Sequence, residues 1–200
     1  TNEKESIKEI KFESDEKCNG IISFLSGETG GNIHHNGTIE VTASSIRDPQ
    51  SFSSTYDPQK IIDNLIQYNR GLIIFNVFFA PQRGQQNFWL CFDFKEKRIQ
   101  VSSYTISNTQ YLDVSRIRNW VIEISNDGKN WSQIDKKSDC HSLEKRSQLA
   151  NFTIESPTEF ARFCRFRHDG ECWSAQTKGF TEKSYIGIAF IEFFGKIKMK

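Results

Sequence analysis

RNWVIEISNDGKNWSQI (118–134) reads as one β-hairpin with a tryptophan near each end. Trp120, Ile122 and Ile124 alternate with Val121 and Glu123, the period of two that gives a strand one buried face. Asp127-Gly128 supplies a positive-φ turn that sends the chain back through Trp131 and Ile134. Two tryptophans joined in this way predict a β-sandwich with both indoles in its core.

Four further segments read as strands around this hairpin. TIEVTASS (38–45) directs Ile39, Val41 and Ala43 to one face. NFWLCFDFKEKRI (87–99) does the same with Phe88, Leu90, Phe92 and Phe94, and RIQVSSYTI after the KEK turn is expected to return as its antiparallel partner. In FARFCRFRHDG (160–170), Phe163, Arg165 and Arg167 share one face, with Phe160, Cys164 and Phe166 on the other. YIGIAFIEFFG (185–195) closes the series. GIISFL (20–25) is expected to pack before the Gly-rich turn at 27–31. Helical punctuation appears once: Asp57 suits an N-cap, Pro58 the first helical position, Ile61, Ile62, Leu65 and Ile66 one face, and Gly71 a stop. LIIFNVFF (72–79) then reads as a strand covered on both faces. Residues 1–17 are expected as a charged tail or linker and 18–200 as one domain.

The composition agrees with aromatic-filled β layers, with 17 Phe against one Met and four Pro in 200 residues. Lys plus Arg number 26 and Asp plus Glu 25, so the formal charge of +1 gives no global field toward nucleic acid or an acidic membrane. The sequence contains no apolar run long enough to span a bilayer. Five cysteines, Cys18, Cys91, Cys140, Cys164 and Cys172, cannot all pair internally, and Cys91 and Cys164 sit in strands as small apolar residues do. Reduced thiols and a cytoplasmic location are expected. Three glycosylation sequons, at Asn36, Asn130 and Asn151, shift that expectation little.

Taken in order, the Ala-Ser-Ser strand, Trp89-x-x-x-Asp93-Phe94, the tryptophan hairpin, Arg162-Phe163-x-Arg165 and Glu192-x-Phe194-Gly195 resemble the factor V/VIII type C family, also called the discoidin or galactose-binding-like domain. The resemblance covers roughly residues 18–197, and Gly30-Gly31-Asn32 is most similar to intracellular protist versions often found behind BTB and BACK domains. It implies an all-β fold, a jelly-roll β-sandwich with one short helix. It also implies a non-catalytic binding module whose loops gather at one end of the sandwich. Secreted members usually staple their chain ends with a disulfide, which nothing after Cys172 could complete. Some sugar-binding members hold Ca²⁺ with a carboxylate near the final strand, a position that Glu192 matches. The partner loop does not match, having Asp63-Asn64-Leu65-Ile66 within the helical stretch, so no metal or other cofactor is expected.

Chemistry-bearing motifs are sparse. Adjacent His34 and His35 point to opposite faces if extended and lack a third ligand at suitable spacing. Asp139-Cys140-His141 contains a thiol and a base, but neighbours in sequence rarely align for catalysis, and no enzymatic motif is present. The Arg-Phe alternation of 160–168 is read as a framework strand in place of a nucleic-acid platform. The loops that the resemblance assigns to binding, 46–58, 76–87, 107–119 and 169–183, offer Phe52, Tyr56, Phe79, Arg83, Tyr111, Arg116, Trp173 and Lys178 as ligand-binding candidates. A protein partner is the first expectation and a glycan the second. The loop tips are too polar for membrane insertion.

Overall fold

The computed structural model describes residues 5–15, 19–44, 87–108, 116–156, 158–173 and 187–199. The helix expected from Asp57 and the strand at 72–79 lie outside the described residues. Eleven strands and one α-helix are present among the described ones: β1 (Ser6–Ile10), α1 (Ile21–Thr29), β2 (Glu40–Ala43), β3 (Trp89–Asp93), β4 (Arg98–Asn108), β5 (Arg116–Ile117), β6 (Trp120–Ser125), β7 (Ser132–Lys137), β8 (Leu149–Thr153), β9 (Phe163–His168), β10 (Cys172–Trp173) and β11 (Ile188–Met199). They form a four-stranded sheet in the order β1-β11-β4-β8, a five-stranded sheet in the order β2-β3-β9-β6-β7, and a small β10-β5 pair. The neighbours in all three pair antiparallel.

The two larger sheets face each other across an aromatic core. Phe92 of β3 meets Phe193 of β11 edge to face at 5.1 Å. Trp120 of β6 is fully buried and packs on Phe152 of β8 at 5.1 Å and Phe166 of β9 at 6.4 Å. Its indole N–H donates to the Tyr104 hydroxyl at 2.9 Å, and that hydroxyl donates to Asp135 Oδ2 at 2.5 Å. The expected inner faces of β2, β3 and β9 are observed: Ile39, Val41, Phe88, Leu90, Phe92, Phe94, Cys164 and Phe166 are all buried.

Four sequence readings need correction. First, Trp131 is not a core residue. The β6-β7 register steps from Ile122↔Asp135 to Glu123↔Gln133, passing over Ile134. A one-residue bulge flips the side chains between it and the turn to the other face. Trp131 therefore lies on the outside with Glu123, where Arg165 sits 3.8 Å over its ring. Second, β4 does not pair with β3; it crosses to the other sheet and pairs with β11 and β8. Lys95, with φ 57°, and the Asp93 side chain holding the Lys95 N–H at 2.8 Å make the corner. Crossing lets the apolar faces of β3 and β4 meet across the core, where a hairpin would set them side by side.

Third, Ser6–Ile10, in the stretch expected as a tail, forms the edge strand β1 on β11. Fourth, Ile21–Thr29 packs as expected, but as a helix. Its N-cap, Gly20, offers no side-chain cap. The fully buried Glu192 of β11 serves instead, accepting the Ile22 N–H at 2.8 Å, the Ser23 N–H at 3.0 Å and the Ser23 hydroxyl at 2.8 Å. Only glycine fits at 20, because a Cβ there would stand 2.5 Å from Glu192 Cγ and 2.3 Å from the Phe193 carbonyl oxygen.

Trp120→Ala should destabilise the fold by about 3–5 kcal/mol through a core cavity, whereas Trp131→Ala should cost about 1 kcal/mol through its lost arginine contact. Denaturant melts of the two variants check this, and equal losses would return Trp131 to the core. Burial raises the Glu192 carboxyl from 4.5 to about 7, outweighing its hydrogen bonds. A raised acid stabilises fully below its unfolded pKa, and that contribution disappears as pH rises through the folded one. The wild type should thus lose roughly 3 kcal/mol relative to Glu192→Gln between about pH 4.5 and pH 7, and thermal melts across that window measure it.

Candidate functional site

The β-sheet registers set one end of the sandwich apart from the Asp-Gly hairpin. Trp120↔His168 and Trp89↔Arg167 lie at this end, and Ile188↔Asn108 lies there on the other sheet. Here β5 and β10 pair Trp173 with Arg116 and Cys172 with Ile117. The two tiny strands fix the Trp173 indole, whose N–H donates to the Cys140 carbonyl at 2.9 Å.

Charged groups surround this half-buried indole. The Arg118 guanidinium lies over the ring at 4.4 Å, and the His141 ring packs against it at 4.7 Å with an interplanar angle of 47°. Arg118 is held by Asp139 at 2.6 Å and Glu171 at 3.5 Å. Asp139 adopts φ 53°, and its N–H is received by Asn119 Oδ1 at 2.8 Å, while Asn119 Nδ2 donates to the Glu171 carbonyl at 2.7 Å. His141 contacts Glu144 Oε2 at 2.8 Å and Asp139 Oδ2 at 3.7 Å. The hydrogen bond to Glu144 raises the imidazole above its ordinary value, outweighing desolvation, and the Asp139 charge adds to it.

Of the residues expected to bind ligand, Phe52, Tyr56, Phe79, Arg83, Tyr111 and Lys178 lie outside the described residues. Trp173 stands at the centre of the cluster. Arg116 is a correction: it is 3% exposed and its Nε donates to the Glu144 carbonyl at 2.6 Å, supporting the loop from inside. Sequence reasoning missed Arg118, Asn119, Glu144 and Glu171, and it weighed Asp139 and His141 only for catalysis. Their signal was a run of charge in loops with no period to place it.

Two other groups have structural accounts. His168 and Cys172 approach at 3.1 Å in a buried setting, where desolvation pushes the thiol up to about 12 and the imidazole down to about 4, leaving both neutral. On the outer face of the five-stranded sheet, Arg165 pairs with Glu123, Arg167 with Glu123 and Asp169, and Arg162 with Asp93, so each arginine of the Arg-Phe strand has an acidic partner. Among the described residues, no group of three or more His, Cys, Asp or Glu side chains is arranged to hold a metal. Glu192, at the position of the Ca²⁺ carboxylate in some relatives, does not fit that role here: α1 and its own strand fill its surroundings with N–H and O–H donors.

The model of the F5/8 type C domain matches residues 40–180. The chain belongs to the F5/8 type C family. Its fold is similar to that of the C-terminal domain of a chitobiase from Bacteroides fragilis, with 13% identity, a TM-score of 0.54, and coverage of 79% of this chain and 93% of that one. A chitosan-binding module 2 from a chitosanase/glucanase of Paenibacillus sp. IK-5, solved with chitotriose, gives 15% identity, a TM-score of 0.53, and coverage of 79% and 97%. A Clostridium perfringens module solved with GalNAc-β-1,3-galactose gives 13%, 0.52, and coverage of 79% and 96%. These likenesses show the shared sandwich. Among the described residues of this F5/8 type C domain, no helix is long and apolar enough to cross a membrane.

The His141 imidazole should titrate above the ordinary histidine value of 6.5, and Glu144→Gln should move its midpoint back down. Proton NMR of the His141 ring checks both; an unchanged midpoint in the variant would remove Glu144 as the cause.

Proposed function

We propose that this F5/8 type C domain is a non-catalytic binding module that engages a protein partner at the Trp173 end, as the recognition part of an adaptor or scaffold. The observation that carries this reading is the state of the indole. Arg118 already covers one face of it, so that face is closed to a stacking sugar ring. What the cluster presents is an anchored Trp-Arg pair rimmed by Asp139, His141, Glu144 and Glu171. Buried-edge tryptophan and arginine dominate protein interfaces in this way.

Glycan binding is the second reading. The neighbours bound to chitotriose and to GalNAc-β-1,3-galactose favour it, and Arg118, Asp139 and His141 could hydrogen-bond sugar hydroxyls once Arg118 swings off the ring.

Affinity capture from the source cells, run beside a glycan array, tests both. Trp173→Ala and Arg118→Ala should each weaken capture of the same protein more than about fivefold, equivalent to about 1 kcal/mol. Lys129→Ala, beside the distant Asp-Gly turn, should leave it unchanged. A strong array signal lost in the Arg118 variant would replace the protein reading with the glycan one. Equal capture by every variant would move the surface to another part of the fold.

A further inference from the structure

The structure separates the three sequons. Asn36-Gly37-Thr38 occupies an exposed turn leading into β2. Asn36 Oδ1 accepts both the Thr38 N–H at 3.0 Å and the Thr38 hydroxyl at 2.6 Å. Gly37 takes φ 78° and places no side chain beside the amide. Asn36 Nδ2 donates to Thr29 Oγ1 at 3.0 Å, itself on the surface. Asn130 differs. Its Nδ2 is held on Asp127 Oδ2 at 2.7 Å, its backbone N–H on Asp127 Oδ1 at 2.8 Å, and the Trp131 that follows it is pinned under Arg165. Asn151 lies within β8, half-buried, with Nδ2 turned to Thr105 Oγ1 at 3.0 Å and Ser103 Oγ at 3.4 Å.

We propose that Asn36 is the acceptor of an N-linked glycan and that Asn130 and Asn151 carry none. Asn36-Gly37-Thr38 has the acceptor pattern Asn-X-Thr, and it stands in an exposed turn. The donor is an oligosaccharide activated as a lipid-linked diphosphate and presented by a transferase. Nδ2 attacks its anomeric carbon, and the C–N bond forms as the anomeric C–O bond breaks. The diphosphate leaves with that electron pair, and the Nδ2 proton passes to a base of the transferase. Because β2 begins at Glu40 opposite Asp93, the turn stands at the end of the sandwich away from Trp173, and a glycan there leaves the binding cluster open.

Such a glycan places the chain on an oxidising route, against the cytoplasmic location that an odd cysteine count suggests. The thiols themselves permit it. Cys91, Cys140, Cys164 and Cys172 are free. Cys164 has no solvent exposure, and burial pushes Cys91 up to about 11 and Cys172 up to about 12. Held as neutral thiols, these three react slowly with oxidants and disulfides.

The test is the intact mass of the protein purified from its source cells, before and after treatment with an amidase that releases N-glycans in heavy-oxygen water. One glycan is expected, with the label appearing on Asn36 as it becomes aspartate. Thr38→Val, made in the same cells, should lose the glycan completely while keeping the wild-type melting temperature, and Thr38→Ser should retain it. Asn36→Gln makes the same comparison should the valine variant fail to fold. An unmodified intact mass overturns the proposal. So does a glycan on Asn130 or Asn151 in place of Asn36, or one that survives in Thr38→Val.

Discussion

The bond from the Trp120 indole to the Tyr104 hydroxyl, continued to Asp135, is the constraint on which the sandwich depends. Trp120 and Asp135 belong to the five-stranded sheet and Tyr104 to the four-stranded one, so a polar chain crosses a core built of aliphatic and aromatic side chains. A buried donor without an acceptor costs about 1–3 kcal/mol, so the sheets can slide only by breaking it. Burial together with Asp135 raises Tyr104 far above the ordinary phenol, which keeps the hydroxyl protonated and donating. Phe152 and Phe166 then pack on an indole whose orientation is already fixed.

Much of the framework was legible in the sequence because strand period and burial coincide. Phe88, Leu90, Phe92 and Phe94 needed no tertiary information to declare a buried face, and neither did Trp120, Ile122 and Ile124. What escaped reading depends on contacts far along the chain or on single-residue irregularities. The bulge at Ile134 carries no sequence mark, yet it moves Trp131 from the core to the surface. The helix at Ile21–Thr29 relies on Glu192, 170 residues from Ile22. The KEK corner looks like a hairpin until Ile99 meets Ala161 and β4 departs for β11.

The candidate site was legible only at its centre. Trp173 stood out as a large aromatic in a polar loop, but the groups around it come from separate connections that β5 and β10 draw together. Arg116 shows the opposite failure. In sequence it is an arginine in a loop; in the fold it is buried under Glu144, and its neighbour by two, Arg118, takes the half-buried position over the indole. Residues two apart in an extended chain share a face, so the covering loop at Glu144 decides which arginine is enclosed.

The position of β11 between β1 and β4 has a consequence for how the protein is made. This strand is synthesised after every other described element, yet β1, β4 and α1 all dock on it, α1 through Glu192. Ile21, Ile22 and Leu25 are made well before Glu192, the residue that caps their helix in the finished fold. The four-stranded sheet therefore cannot close until its last strand is made, and it closes through contacts distant in sequence, which slow folding.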